Sequence, residues 1–422
     1  MTPESGEISI RVVDGMKEID GRDWDSLARS PAYSPFLEYD FLAAAEDSGC
    51  AVPETGWYPR HFLATSGDRL IGAAPAYAKT HSMGEFIYDQ GLAAAAADMG
   101  SPYYPKLVAA LPFTPSPGYR FLVHPEHDER VVTDVLLRAM AAYRDAAGFS
   151  SHSILFADPA WVETLEAAAS ANGENGVDNG SGSDSAAPAS GPFLRWVHQY
   201  FLWENPGYRD FDGYVAAFDK NQRRNILRER ASVAQAGIRV ETLEGDAITP
   251  DILAAMYRFY LSTNEAFGPW AALFLNEDWF LNIGRRWKDR LVIFAAFEDG
   301  SDEPAAMSML VRKGEGLYGR YWGTGRFIRN LHFELCYYAP IEFAVLRGIR
   351  WFDPGMGSPH KARRGFGSRE FVSYHSFVDR RISELFGAVL PETNRAERDM
   401  IRQMDAAVPW KALRGHHMDS LS

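Results

Sequence analysis

Cysteine is nearly absent from this sequence, which contains only Cys50 and Cys336 among its 422 residues. Two cysteines cannot build a disulfide framework or a cysteine-based zinc site, so a reducing compartment is expected. Long apolar runs are also absent, and the first residues have neither the basic region nor the apolar region of a secretory signal. These absences predict a cytoplasmic protein with no transmembrane segment.

An excess of basic residues is absent as well. The chain has 43 Lys and Arg residues against 56 Asp and Glu residues, and its formal net charge is −13. The acidic excess lies in residues 1–192, whereas residues 193–422 are almost balanced. Because neutralisation of phosphates drives the binding of duplex DNA, this composition excludes a protein that wraps duplex DNA with its whole surface. An RNA-binding protein is disfavoured too, since no repeated aromatic stacking platform is present.

Common hydrolytic motifs are missing. The chain has no His-x-x-x-His pair, no zinc-type ligand spacing, no P-loop and no Gly-x-Ser-x-Gly elbow. Metal-dependent hydrolysis and serine-hydrolase chemistry therefore have no support, and no metal site is predicted.

The clearest boundary is the stretch 172–192, which is rich in Gly, Ser, Asn and Asp and has no aromatic residue. Such a stretch cannot bury enough apolar surface to offset its ordering entropy, so we predict a flexible linker or insertion. The predicted organisation is an N-terminal domain (1–171), this linker, a C-terminal domain (193–390), and a C-terminal helix and tail (391–422).

The two halves repeat one plan. Residues 61–91 predict three short strands, with turns at Gly67-Asp68 and 82–84, and residues 290–323 predict the same sequence of strands and turns. A helix and a further strand follow in each half, at 129–147 and 154–157 in the first and at 332–348 and 349–352 in the second, where Pro340 predicts a kink or a break. Other helices are predicted at 36–49, 212–218, 220–236, 250–266, 277–287 and 392–406. The predicted fold class is α/β, an α+β unit with a mixed sheet used twice.

The strongest charged feature is a cluster of cations on the helix predicted at 220–236. Lys220, Arg224 and Arg228 follow an i, i+4, i+8 row, and Arg223 lies beside them. Such a row is suited to a phosphate or a nucleotide-bearing ligand. The alternative is a solvated basic face without a ligand.

A second pattern begins at Arg320. The run Arg320-Tyr321-Trp322-Gly323-Thr324-Gly325 matches the R/Q-x-x-G-x-G/A pyrophosphate loop of acetyl-CoA-dependent acetyltransferases. Glycines in such a loop let backbone N–H groups approach phosphate oxygens. The alternative is an ordinary turn at the end of a strand. Tyr321, Tyr337 and Tyr338 are aromatic donors predicted near the same edge.

A third candidate is the Gly/Pro loop that begins at Asp353 and carries His360, Lys361, Arg363 and Arg364. Loops at strand ends often carry sites, and a buried cation there could stabilise an oxyanion in acyl transfer. Asp89, His332, Glu334 and Asp353 are candidate proton acceptors, although Asp89, His332 and Glu334, each taken alone, are more typical of a structural role.

Several stretches together resemble the FemAB-like predicted N-acyltransferases of bacteria, a family related to GNAT enzymes. They occur in order over residues 34–380 and include SPFLEYDFLAAAEDSG (34–49), GWYPRHFLA (56–64), GAAPAYAKTHSMGEFIYD (72–89), YYPKLVAALPFTP (103–115), KNQRRNILRERASVAQAGI (220–238), LYGRYWG (317–323), LHFELCYY (331–338) and HKARRGF (360–366). The resemblance implies a tandem of two GNAT-like acyltransferase domains. It also implies transfer of an acyl or aminoacyl group to a small-molecule or peptide amine, with a peptidoglycan-precursor peptide as one acceptor.

The family pattern also suggests roles for the candidates. In FemABX ligases a lysine in an FK-x-x-FG-like motif helps to stabilise the transition state, and here Lys361 lies farther from Phe366-Gly367 than in that pattern, so Lys361 and Arg363 both stay candidates. The co-substrate is acyl-CoA or aminoacyl-tRNA, with no tightly bound cofactor. Lys220, Arg223, Arg224 and Arg228 are expected to bind phosphates, and Arg364 either phosphate or the oxyanion. The alternative function is a non-catalytic module of this fold that binds a muropeptide or a nucleotide.

Overall fold

The computed structural model describes residues 7–171, 193–265, 268, 272–357 and 359–411. The linker predicted at 172–192 and the end of the predicted tail lie outside these residues.

The strands in the described residues are β1 (Ile8–Val13), β2 (Trp57–Pro59), β3 (His61–Ser66), β4 (Arg69–Ala74), β5 (Ala76–Lys79), β6 (Lys106–Ala109), β7 (Leu122–Val123), β8 (Ser151–Ile154), β9 (Leu194–Glu204), β10 (Ile238–Leu243), β11 (Leu291–Glu298), β12 (Pro304–Lys313), β13 (Gly316–Thr324), β14 (Trp351–Asp353) and β15 (Gly367–Phe377).

The α-helices are α1 (Gly21–Ala28), α2 (Tyr39–Asp47), α3 (Gln90–Asp98), α4 (Glu129–Ala147), α5 (Val162–Ala171), α6 (Phe211–Ala216), α7 (Lys220–Gln235), α8 (Pro250–Glu265), α9 (Glu277–Arg286), α10 (Leu331–Phe333), α11 (Ala339–Leu346) and α12 (Arg380–Ala406). A 3-10 helix, Pro359–Arg364, precedes β15. No helix in the described part of the chain is both long enough and apolar enough to cross a membrane.

One sheet runs through both halves of the chain. Its eleven strands follow the order β10-β11-β12-β13-β14-β9-β15-β8-β6-β5-β2, and a smaller sheet has the order β1-β3-β4-β7. The join is made by β15, which pairs antiparallel with β9 on one side and with β8 on the other. The halves are thus linked by main-chain hydrogen bonds as well as by side-chain packing.

The predicted duplication is confirmed by the topology. In the C-terminal half β10 to β13 form an antiparallel meander, a helical segment crosses over, and β14 returns parallel to β13. In the N-terminal half the corresponding strands are divided between the two sheets: β1, β3 and β4 pair antiparallel in the small sheet, β5 and β6 pair antiparallel in the large sheet, and β8 returns parallel to β6 after α4. The α/β fold class with a mixed sheet and two GNAT-like units is therefore correct.

Local signals explain the best-predicted element. α4 has the predicted bounds because the Asp128 side chain accepts from the Arg130 and Val131 amides at its start, and Gly148 ends it in the left-handed region with φ 68°. Its buried face, which includes Val132, Leu136 and Met140, packs on β3 and β4.

Other predicted elements differ from the structure. Pro75 ends β4, so β4 joins the small sheet and β5 the large one, and no strand forms at 85–89. The strand predicted at 154–157 is β8, which begins at Ser151 and ends at Ile154. The helix predicted at 392–406 is the second part of α12, which begins at Arg380 behind the cap Asp379 and continues through Pro391. The predicted domain boundary at 390/391 therefore falls inside a helix.

The helix predicted at 332–348 contains Pro340 without a break. A π-helical turn at Glu334–Tyr338 separates α10 from α11, and Pro340 lies in the first turn of α11. Because proline has no amide hydrogen, it is tolerated where the preceding turn is already irregular.

Candidate active site

β13 and β14 separate after a short stretch of pairing. Their parallel pairing runs only from Gly316 opposite Trp351 to Tyr318 opposite Asp353, whereas β13 continues along β12 to Thr324. Beyond Asp353 the chain leaves the sheet at Pro354. The carboxyl ends of neighbouring parallel strands commonly frame ligand crevices in α/β sheets.

A cavity of about 360 Å³ lies where the two strands part, and we call it the central cavity. The C-terminal half contributes β13, the loop 354–356, and residues of and after α8, while the N-terminal half contributes Phe86, Phe113 and Pro115. Its volume falls in the usual range for small-molecule sites. Its aromatic lining consists of Phe86, Phe113, Tyr260, Phe274, Tyr321 and Trp322.

A β-bulge places main chain on the wall of this cavity. Met309 pairs with Tyr321 and Leu310 pairs with Gly319, so Arg320 is an extra residue on β13. The Arg320 side chain is only 3% exposed, yet the residue as a whole is half-buried, so its exposed surface is mainly main chain. A bulged residue is left unpaired in the regular ladder, so the main chain at Arg320 is not held by β12 as its neighbours are.

The Arg320 guanidinium points into the protein, toward the N-terminal half. Its carbon lies 4.4 Å from the Phe36 ring centre, and Nη2 lies 3.6 Å from the Asp353 carboxylate. Within the described residues its Nε and Nη2 have no hydrogen-bond partner. Asp353 is also buried, and it accepts from the Ser116 hydroxyl and from the Gly355 amide. The Arg320–Asp353 pair is therefore buried between the N-terminal and C-terminal halves.

The pattern Arg320 to Gly325 does not form a phosphate-binding loop. Residues 320–324 belong to β13, and a Cβ on Gly323 would lie 2.0 Å from the Phe259 carbonyl oxygen, so this glycine allows α8 to pack closely. The Gly325 amide donates to the Ala305 carbonyl at 3.0 Å, and the Arg326 amide donates to the Thr324 hydroxyl at 3.3 Å. These amides are already used, so the alternative interpretation, an ordinary strand end, describes the segment.

Lys361 anchors the loop that borders the central cavity. Its Nζ donates to the Gly355 carbonyl at 2.6 Å and to the Met356 carbonyl at 2.8 Å, and it lies 3.4 Å from the Pro354 carbonyl. The side chain is buried. Burial lowers the pKa of Lys361 to about 8, although Asp353 opposes the shift. This geometry supports a positioning role better than direct contact with a reacting carbonyl.

The two arginines of this loop, Arg363 and Arg364, differ in burial. Arg364 is buried, donates to Glu229 at 2.7 Å, and lies 3.4 Å from the Phe333 ring centre. Tyr338 also donates to Glu229, so Arg364 and Tyr338 share a structural carboxylate. The Arg363 side chain is exposed.

His332 lies in an aromatic cluster on the other side of β13. Its ring is 5.2 Å from Trp322, 5.4 Å from Tyr337 and 5.9 Å from His360, and Tyr337 and His360 are hydrogen-bonded at 3.1 Å. Burial lowers the pKa of His332 to about 4. It is therefore neutral at pH 7 and a weak proton acceptor.

Glu334 and Asp89 are occupied by other partners. Glu334 is buried and accepts from Arg230 with both oxygens, at 2.9–3.1 Å. Burial raises the pKa of Glu334, while Arg230 opposes the shift. Asp89 lies in the N-terminal half, where it accepts from Lys106 at 2.7 Å and from Tyr103 at 2.8 Å. Neither carboxylate lines the central cavity.

The cationic row on α7 forms an exposed surface, which we call the basic face: Lys220, Arg224 and Arg228, with Arg223 half-buried beside them. Across the described residues none of these four side chains makes an ion pair with a carboxylate. Arg228 donates to Asn225 on its own helix. The Gln222 side chain donates to the Arg363 carbonyl at 2.6 Å, so the helix is tied to the segment that Lys361 anchors.

The structure thus divides the predicted site residues into groups. Arg320 and Tyr321 line the central cavity, Asp353 lies outside its lining beside the buried Arg320 guanidinium, and Lys361 holds the loop 354–356 that borders it. Gly323, His332, Glu334, Tyr337, Tyr338, His360 and Arg364 pack elsewhere. No group of three or more potential metal ligands was found in the described portion of the chain.

Sequence reasoning missed Phe86, Phe113, Tyr260 and Phe274. They come from four separate segments, and isolated aromatic residues carry no local sign of a shared cavity. Two of them, Phe86 and Phe113, have a positive φ, which no sequence pattern reveals.

The duplicated unit, with a cavity where its parallel strands separate, agrees with the general class that the family resemblance implies, a transferase of acyl or aminoacyl groups. The chain belongs to the FemAB-like family, described as peptidoglycan biosynthesis/recognition, whose sequence profile matches residues 15–412. No protein with curated annotation matches the sequence significantly.

Solved structures of similar fold span nearly the whole chain at low identity. FemX is 13% identical, with 86% of this chain and 96% of that chain covered and a TM-score of 0.49. A tandem GNAT protein from the clavulanic acid biosynthesis pathway is 14% identical, with 88% and 99% covered and a TM-score of 0.43. The C-terminal domain of a putative lysylphosphatidylglycerol synthetase from Agrobacterium fabrum is 11% identical, with 90% and 96% covered and a TM-score of 0.49.

Proposed function

We propose that this protein transfers an aminoacyl group from aminoacyl-tRNA to an amine acceptor, and that the reaction takes place in the central cavity. The observation that carries the proposal is the bulge at Arg320, which turns main chain toward a cavity at the point where β13 and β14 part. Main-chain N–H groups in such a position can stabilise the negative oxygen that develops during acyl transfer.

The reaction needs no cofactor beyond the activated donor. The acceptor nitrogen forms a bond to the ester carbonyl carbon of the donor, and the bond from that carbon to the ribose oxygen of the tRNA breaks. The proton lost by the nitrogen ends on the ribose oxygen, which leaves as a hydroxyl. Positioning of the two reactants supplies much of the rate enhancement in such a reaction.

The choice of aminoacyl-tRNA over acyl-CoA as the donor depends on which main-chain amides and which cations already have partners within the protein. The Gly325 and Arg326 amides, which a CoA pyrophosphate would require, are bonded within the protein. The basic face on α7 is exposed and has no carboxylate partner in the described chain. Exposed cations spaced along a helix suit the backbone of a nucleic acid, which also agrees with the donors of the FemABX ligases.

The acceptor is proposed from the family description. Peptidoglycan biosynthesis supplies precursor peptides with free amines, so a precursor peptide is the acceptor to test. A non-catalytic binding module is the competing function, and it differs in that bound donor would never be consumed.

The test is a transfer assay in which a bulk pool of labelled aminoacyl-tRNA, or labelled acetyl-CoA, is mixed with a peptidoglycan-precursor peptide. We expect label on the peptide from aminoacyl-tRNA only. Thr263→Trp fills the central cavity from α8 and should lower transfer at least tenfold, whereas Thr393→Trp, a half-buried threonine on α12, should not. Transfer from acetyl-CoA alone would overturn the choice of donor, and donor binding without any product would support the binding module.

A further inference from the structure

We propose that the central cavity selects an apolar side chain on the transferred group, and that Phe86, Phe113 and Phe274 determine this selectivity. The inference rests on the proposed function, because it names the class of donor used at the same site. It depends on three independent observations: backbone conformation, ring packing and charge.

The backbone is strained at the two phenylalanines that the N-terminal half contributes. Among the described residues only four that are not glycine have a positive φ, namely Phe86, Phe113, Phe156 and Asn330. Phe86 has φ 58° and Phe113 has φ 56°, and both line the central cavity. Bulky side chains rarely adopt this conformation, and residues held in it are concentrated at ligand sites.

The rings are fixed by one another and by the surrounding backbone. Phe113 stacks on Phe274 at 5.6 Å with an angle of 14° between the rings, and Phe86 meets Phe274 edge-on at 5.9 Å. A Cβ on Gly84 would lie 2.9 Å from the Phe113 ring, so this glycine leaves room for that ring. The two halves therefore meet in an ordered aromatic wall, which provides a preformed surface for an apolar group.

The cavity offers almost nothing to a charged side chain. Arg320 is the charged residue among its described lining residues, and its guanidinium is buried against Phe36 and Asp353. The Asn264 amide group is already used, since it donates to the Tyr260 carbonyl and accepts from the Ala272 amide. A charged side chain placed here would lose its hydration without meeting a side chain of opposite charge that faces the cavity, which is strongly unfavourable.

The first experiment compares transfer from tRNA charged with leucine or phenylalanine and from tRNA charged with aspartate or lysine. We expect at least a tenfold higher rate with the apolar amino acids. Phe86→Gly removes one of the three rings of the aromatic wall and also relieves the strained backbone, so the variant should fold and its preference should fall at least fivefold. Phe156→Gly is the matched control, because Phe156 has φ 52° but stacks on Phe371 away from the cavity lining, and it should keep the preference.

A binding measurement separates this inference from the proposed function. N-acetyl-L-phenylalaninamide and N-acetyl-L-aspartic acid amide are titrated against the wild type and Phe86→Gly by NMR. Selective binding of the aromatic probe that Phe86→Gly weakens would support the inference even if no donor were consumed. Equal transfer rates for apolar and charged amino acids, or equal binding of the two probes, would overturn the inference and leave the proposed transferase reaction standing.

Discussion

The buried ammonium of Lys361 holds one loop in its conformation. Its ammonium holds the carbonyl oxygens of Gly355 and Met356, and the same loop borders the central cavity. Removing the donor would take away hydrogen bonds to the carbonyls of the half-buried Gly355 and the exposed Met356, and such a bond typically contributes about 0.5–1.5 kcal/mol. At this position the lysine therefore acts on the site through the shape of the loop.

The buried ammonium predicts a specific dependence of stability on pH. The pKa of Lys361 falls from an ordinary value near 10.5 to about 8 in the folded protein, chiefly because of burial. As pH rises from about 8 to 10.5, the folded protein releases a proton that the unfolded chain keeps, so this group adds stability that is lost again as pH falls through 8. Lys361→Met should lack this gain, which amounts to about 1.4 kcal/mol per pH unit at most.

Denaturant unfolding of the wild type and Lys361→Met at several pH values in this window measures the difference. The exposed Lys17→Met serves as the control for a change of charge alone. Parallel stability curves for wild type and Lys361→Met would contradict the buried, shifted lysine.

At the scale of elements, α7 has one face that packs in the core and another face that carries exposed cations. Ile226 and Val233 are buried, while Lys220, Arg224 and Arg228 are exposed. Substituting the exposed cations should therefore leave the fold unchanged and alter only the interaction with a polyanion.

Arg224→Ala and Arg228→Ala should each weaken the binding of aminoacyl-tRNA and reduce the slope of log affinity against log salt by roughly 0.7–0.9. Filter binding over a range of salt concentrations measures both effects. Arg285→Ala on α9 is the matched control, because Arg285 donates to Asn282 at 2.8 Å in the same way that Arg228 donates to Asn225 at 2.9 Å. An unchanged salt slope for both α7 variants would remove the basic face from the tRNA site.

Elements with strong local signals could be predicted from sequence, and those set by distant contacts could not. The caps of α4 and the turns at Asp299-Gly300 and Gly314 are local, and α4, β11, β12 and β13 appear where they were expected. The pairing of β15 with β8 depends on residues more than 200 positions apart, and no periodic pattern encodes it. The same holds for the site: the cations of α7 were recognisable, whereas the cavity is created by the separation of two strands and by two strained phenylalanines.

At the scale of the whole molecule, Glu38 links the halves. It comes from the N-terminal half and accepts from Trp287 at 2.7 Å and from Arg290 at 2.8–3.0 Å, and it lies 3.0 Å from the Lys313 ammonium. Burial alone would raise the pKa of Glu38, but Arg290, Lys313 and Trp287 outweigh it and hold the pKa below its ordinary value. The stability it contributes is present above the pKa of the unfolded carboxyl and is lost as pH falls through the lower pKa of the folded protein.

Glu38→Gln should destabilise the protein by about 3–5 kcal/mol, because Lys313 is left buried without its counter-charge. Calorimetry should still show one transition, because the continuous sheet couples the halves. Glu315→Gln, which removes an exposed ion pair with Arg350 at 3.5 Å, should have no measurable effect. Equal melting temperatures for the two variants would show that Glu38 does not couple the halves.

The position of β15 between β9 and β8 also has a consequence for the order of events during synthesis. The strand that closes the sheet of the N-terminal half begins at Gly367, so the ribosome must produce most of the chain before β8 can gain its second neighbour. Until then a nascent N-terminal half presents an open strand edge, which is prone to pairing with other chains. Chaperone demand during translation should therefore persist until β15 has emerged.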